Sequence, residues 1–264
     1  MQALTSNSLP EPDMKLLLMS FFTALRFLTI FPIPFYAERD GEFFQSSVKF
    51  FTTVGLLIGL FCFFIALSLQ DILPLPLLCC VLLIFLSVVS GFLHLDGLAD
   101  TADGFFSSRP RQQILEIMHD SRTGAMGVIA LILIILVKYA SLISIGASNL
   151  PLAVLLMPLA GRGAIIIAMY ILPYARKNSG LGKLFYADKD FLTPLVSFAV
   201  FLSCSIITGI PLLLLTVITV VVTTLLFSIW CKNKIGGATG DTLGAVCELT
   251  ETTVAFVLAA ALNV

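Results

Sequence analysis

Charge is scarce in this sequence: 15 basic and 16 acidic residues leave 12% of its 264 positions charged, against ~25% in typical soluble domains. That scarcity argues against a water-soluble domain. The net charge of −1 supplies no field to gather nucleic acid, and no local basic groove stands in for one, so DNA and RNA are excluded as partners. Cysteine is present but unpatterned. Cys62, Cys79, Cys80, Cys204, Cys231 and Cys247 form no Cys-x-x-Cys pair and lie mostly in apolar stretches, which implies neither zinc nor a disulfide framework. The basic start of a secretory leader is also missing. Glu11 and Asp13 precede the first cation, Lys15, so residues 1–14 read as a loose tail ahead of a single domain over 15–264.

What fills the chain is apolar: 58% hydrophobic residues and a mean hydropathy of +1.04. Several uncharged runs are long enough to cross a ~30 Å hydrocarbon layer as helices, which predicts an all-α, polytopic membrane helix bundle. The runs lie near 50–69, 75–95, 124–146, 152–172, 191–208, 212–230 and 243–264, about seven spans. An eighth apolar stretch, 16–35, carries Arg26 and ends in Phe31-Pro32-Ile33-Pro34; spanning, re-entrant and interfacial placements all fit it. Lys and Arg are absent near 70–74, 147–151 and 209–211 and gather in the alternate loops. That alternation predicts a cytoplasmic face for the segments before the first span and after the second, fourth and sixth. Arg26, Lys138 and Arg162 sit inside apolar stretches, where an ionised side chain needs a partner.

The run His94-Leu95-Asp96-Gly97-Leu98-Ala99-Asp100-Thr101-Ala102-Asp103-Gly104 is the most informative. On a helix, Asp96, Asp100 and Asp103 fall within a ~60° arc, so three carboxylates project together and repel. Such hard oxygen ligands suit Mg²⁺, with waters and substrate phosphates completing the shell; a solvated acidic face is the other reading. Downstream, Asp120 is a candidate fourth carboxylate and Arg122 a candidate phosphate fork. The same turn also reads as a helix cap.

A second acidic group, Asp241, Glu248 and Glu251, shares a ~80° arc of the last span. It follows the glycine-rich entry Gly236-Gly237-Ala238-Thr239-Gly240. Gly237 and Gly240 would let backbone N–H groups hold a phosphate. The two glutamates fit either a substrate path or buried salt bridges to Lys138 or Arg162. Arg176 and Lys183, among glycines in the loop 173–183, suit an anionic leaving group, and positive-inside topology explains them equally well. Carboxylates, glycines and cations at one membrane face compose a phosphoryl-transfer site.

The runs HLDGLADTADG (94–104), DSRTGAMG (120–127), YARKNSGLG (174–182) and GGATGDTLGAVCELTE (236–251), with RFLTIFPIP (26–34), resemble the cobalamin synthase family, the adenosylcobinamide-GDP ribazoletransferases. The likeness runs in order from about residue 20 to the end. It implies a multi-pass enzyme of the cytoplasmic (inner) membrane with its active site facing the cytoplasm. Such an enzyme joins adenosylcobinamide-GDP to α-ribazole or its 5′-phosphate with Mg²⁺, releases GMP, and is open to association with other late enzymes of that pathway. Carried over, the resemblance makes Asp96, Asp100, Asp103 and Asp120 the catalytic Mg²⁺ ligands. By residue type, Arg122, Arg162, Arg176 and Lys183 are candidate phosphate contacts, and Gly237, Gly240, Asp241, Glu248 and Glu251 candidate substrate contacts.

Two other classes compete. CDP-alcohol phosphotransferases also place Asp-Gly-x-x-Ala on a membrane helix, but with Arg after the Ala, where this chain has Asp100. A secondary transporter would use Asp96, Asp100, Glu248 and Glu251 to carry protons or Na⁺, and would need carboxylates at mid-span and broken helices in matching halves.

Overall fold

The computed structural model describes residues 14–34, 40–176, 185–186, 192–205 and 209–262. Eleven α-helices occur among them: α1 (Met14–Leu28), α2 (Asp40–Ser47), α3 (Phe51–Leu69), α4 (Leu75–Val89), α5 (Leu93–Phe105), α6 (Arg111–Ile117), α7 (Ala125–Ile145), α8 (Leu150–Ile171), α9 (Leu192–Ser205), α10 (Ile210–Ile235) and α11 (Gly240–Leu262). The all-α bundle is as the hydropathy predicts, and the protein is multi-pass. Among the described residues, fewer helices than the expected seven meet the length of a span. Five helices are long and apolar enough to cross a bilayer, six if the bent pair α4–α5 is one span. The run near 191–208 yields only the 14 residues of α9, and part of it lies outside the described residues. At 15 residues, α1 is also too short to cross.

α8 is the axis, with most of its length buried. α3 packs on it through Gly55 and Gly59, one turn apart: a Cβ at Gly55 would lie 2.6 Å from the Pro158 carbonyl oxygen, and Gly59 abuts the Leu155 backbone. Small residues four apart let two membrane helices close in this way. On its other side α8 meets α11, where Gly161 sits against Cys247 and Glu251. α7 and α10 keep Ile129, Leu133, Leu136, Ile218 and Leu226 exposed, an apolar outer surface suited to lipid. α1 and α2 form a side hairpin that explains Arg26. Its Nε donates to Asp40 at 2.8 Å, its Nη2 pairs with the same carboxylate, and its Nη1 donates to the Ile33 carbonyl at 3.2 Å.

The expected straight span 75–95 is broken. α4 and α5 meet at 85°. The Gly91 N–H donates to the Val88 carbonyl at 2.8 Å and the Phe92 N–H to Ser87 at 2.9 Å, the paired bonds of a glycine-terminated helix end. Both residues have positive φ, 57° and 59°, ordinary for glycine and uncommon for phenylalanine. The bend turns α5, with its aspartates, across the end of the bundle where α7 begins, α8 ends and α10 passes into α11.

Candidate active site

α5 enters the site because its glycine lets it. A Cβ at Gly97 would stand 2.7 Å from the Asp241 carbonyl oxygen, so α5 and the first turn of α11 touch backbone to backbone. Gly244 returns the contact against His94. This crossing brings Asp96 and Asp100 beside Asp241. The Asp100 carboxylate feels the charges of Asp96, Asp241 and Asp103, with the Arg176 guanidinium as the cation acting on it. Arg176 donates to Asp241 at 2.9 Å. Asp96 is exposed and Asp100 half-buried.

A cavity of about 220 Å³ opens at this crossing. Asp96, Asp241, Arg176 and Gly240 line its polar end, and Phe27, Phe51 and Phe185 its aromatic end. α11 starts at the polar end with a reciprocal cap. The Thr239 N–H donates to Thr242 Oγ1 at 2.8 Å, and the Thr242 N–H to Thr239 Oγ1 at 3.2 Å.

The loops around the cavity are stapled together. The Ala175 N–H donates to Ala238 at 2.8 Å and the Ala238 N–H to Pro173 at 2.9 Å, a parallel bridge that places Arg176. Gly237 abuts the Pro173 carbonyl, leaving no room for a side chain. Arg111 on α6 donates from Nε to the Ile235 carbonyl at 2.6 Å and from Nη2 to Ala175 at 2.8 Å. One guanidinium thus ties three segments that are distant in sequence.

Other sequence candidates are placed differently. Asp103 turns to the start of α7, accepting from the Gly124 N–H at 2.6 Å and the Gly127 N–H at 2.9 Å. That satisfies two orphan donors of a helix N-terminus. Asp120 and Arg122 pair with each other on the surface at 2.6 Å, with side chains 39% and 87% exposed. The Arg122 bonds hold the Asp120 carboxyl down to about 2, so it stays ionised throughout the neutral range. Lys183 lies outside the described residues.

Arg162, Glu248 and Glu251 lie deeper, in a closed buried network that gives Lys138 its partners. Lys138 donates to Glu248 at 2.5 Å and to Glu251 at 2.8 Å. Arg162 pairs with Glu251 through Nη1, and through Nη2 it donates to Ser90 Oγ at 2.8 Å and lies 3.4 Å from His94 Nδ1. Two cations meet two carboxylates here. Of the two readings the sequence left open, this geometry is the interhelical salt bridge, and it ties α7, α8 and α11 to the α4–α5 bend.

No three His, Cys, Asp or Glu side chains among the described residues are grouped as a ready metal cage. Mg²⁺ does not require one, since it keeps several waters and is commonly held by one or two carboxylates plus phosphates. The donor chemistry fits it: Asp96 and Asp100 offer hard carboxylate oxygens, with Asp241 paired to Arg176 beside them.

The model of the family described as cobalamin-5-phosphate synthase (CobS) matches residues 20–259 of this chain. The chain belongs to that family. Proteins named adenosylcobinamide-GDP ribazoletransferase are similar to most of this chain. One from Clostridium botulinum is 38% identical over 248 residues, 93% of this chain and 99% of the relative. One from Acetivibrio thermocellus is 41% identical over 230 residues, 86% and 91% of the two chains. A third, from Syntrophobacter fumaroxidans, is 41% identical over 239 residues, 88% and 94%. No solved structure matches the chain.

Sequence reasoning missed Arg111 in this CobS chain, because a surface Arg bonded to distant carbonyls leaves no local pattern. It also missed that Asp241 belongs with α5 rather than with Glu248 and Glu251. The glycine crossing is open to test. In Gly97→Ala the new methyl would meet the Asp241 backbone, which has no flexible end to move aside. Separating α5 from α11 by about 1 Å is expected to reduce turnover on the order of 100-fold, with the protein still recovered from membranes as a monodisperse species. Full activity in this variant would show that the contact does not set the site.

Proposed function

We propose that this protein joins adenosylcobinamide-GDP to α-ribazole, or to its 5′-phosphate, with release of GMP, in the biosynthesis of cobalamin. Family membership supports the reaction class and substrates. The observation that carries the chemistry is the meeting of Asp96, Asp100 and Asp241 with Arg176 at one end of a membrane bundle. The Lys and Arg alternation supports a cytoplasmic face of the cell membrane for that end.

In the reaction, an oxygen of the ribazole ribose forms a bond to the phosphorus carried by cobinamide. The phosphoanhydride bond to GMP breaks, its electron pair leaves with the GMP oxygen, and the hydroxyl proton passes to a carboxylate of the Asp96, Asp100 and Asp241 group. Mg²⁺ held by Asp96 and Asp100 would neutralise the diphosphate charge as it redistributes. Arg176 faces both the carboxylates and the cavity, placed to pair with the departing phosphate. The N-terminus of α11 lies at the same end, where its dipole favours an anion. Asp103 holds the start of α7 in place, and the balanced buried network leaves Glu248 and Glu251 committed to Lys138 and Arg162, which weighs against an ion path.

Purified protein in liposomes with Mg²⁺ is expected to release GMP from adenosylcobinamide-GDP only when α-ribazole or its phosphate is added. Release at the same rate without either acceptor, or no release with both, would refute the proposal.

A further inference from the structure

A second cavity, of about 380 Å³, opens on the other side of Arg176. It lies between α6 and the stapled segment, lined by Arg111, Gln112, Leu115, Glu116 and His119 together with Arg176. The volume falls in the range of small-ligand sites. Residues 112, 115 and 116 are spaced to share one face of α6, His119 follows in the turn beyond its end, and Arg111 is fixed by two backbone carbonyls. The cavity is therefore lined by a carboxylate and an amide from α6 together with the guanidinium groups of Arg111 and Arg176. Arg176 is common to both cavities, so a diphosphate lying across it would reach the carboxylate site on one side and this cavity on the other.

We infer that this cavity receives the guanosine end of the nucleotide, with Glu116 reading the base. The inference rests on the reaction proposed above, in which GMP is the leaving group. Guanine presents two adjacent N–H donors, on N1 and the 2-amino group, with the O6 acceptor beside them. A carboxylate has acceptor oxygens only and satisfies both donors side by side. Among the described residues lining the cavity, Glu116 is the carboxylate. Gln112 Nε2 donates to Glu116 Oε1 at 3.3 Å, which orients the carboxylate and sets an amide donor beside it for O6. Adenine offers an acceptor at N1 and fails against the same pair. Arg111 and Arg176 then supply cations for the phosphate.

The test uses binding as well as turnover. The full chain in nanodiscs is titrated calorimetrically with GMP and with IMP, which keeps the N1 hydrogen and lacks the 2-amino group. Wild-type protein is expected to prefer GMP on the order of 10-fold or more, the usual worth of a good bidentate base contact. In Glu116→Ala and Glu116→Gln the ratio should fall toward one. Glu116 is exposed, so neither substitution disturbs the core. An undiminished GMP preference in both variants, or none in the wild type, overturns the inference. Selective GMP binding without ribazole-dependent GMP release would instead overturn the reaction and leave the base pocket standing.

Discussion

Asp96→Asn and Asp100→Asn are each expected to lower GMP release by roughly 10²- to 10³-fold, the scale of losing one electrostatic group at a reacting phosphate. Neither substitution changes side-chain volume, and the folded state carries an excess of negative charge at this point. Asp100 faces Asp96, Asp241 and Asp103 with Arg176 in opposition. Neutralising one carboxylate relieves repulsion, so both variants should unfold in detergent at the wild-type temperature or above it. Mg²⁺ should raise the unfolding temperature of the wild type and do so much less in Asp100→Asn, because a ligand stabilises only the state that binds it. Wild-type turnover in both variants would remove Asp96 and Asp100 from the mechanism. A fall in unfolding temperature that matched the lost activity would recast them as structural.

Lys138→Met is expected to be the most destabilising single change in the bundle. Lys138 lies between Glu248 and Glu251, and its loss leaves Glu248 without the cation that holds it, while Glu251 keeps Arg162. Breaking a buried pair from one side costs about 3–5 kcal/mol, read as a large drop in unfolding temperature and in the yield of intact protein. Adding Glu248→Gln should recover most of the loss, since the stranded charge goes with it. A Lys138→Met protein that unfolds like the wild type would mean the network contributes nothing to assembly.

Much of the bundle was legible because lipid makes simple demands. The runs 124–146 and 152–172 became α7 (Ala125–Ile145) and α8 (Leu150–Ile171) within two residues at each end, since an uncharged run of that length has few other fates in a membrane. The break after α4 was hidden. Ser90-Gly91-Phe92 carries no charge and barely lowers hydropathy, and only the left-handed backbone at Gly91 and Phe92 ends the helix. The helical arc correctly put Asp241, Glu248 and Glu251 on one side of α11. It ignored depth: seven residues carry Glu248 about 10 Å further along the helix, away from the phosphate end and level with Lys138 and Arg162. For Asp103, the arc with Asp96 and Asp100 suggested a shared ion. Its partners are backbone N–H groups of α7, which no side-chain pattern announces.

The shortness of α4 has a consequence for the lipid around it. Its 15 residues rise about 22 Å, roughly 8 Å less than the hydrocarbon thickness of an ordinary bilayer. Where the chain turns into α5, its aspartates would otherwise stand in oil. Thinning the membrane locally costs only fractions of a kcal/mol per ångström, far less than stripping water from a carboxylate. A headgroup layer dipping over α5 would keep those carboxylates in contact with water at that small cost. Hydrophilic reactants would then reach the α5 carboxylates without shedding their hydration.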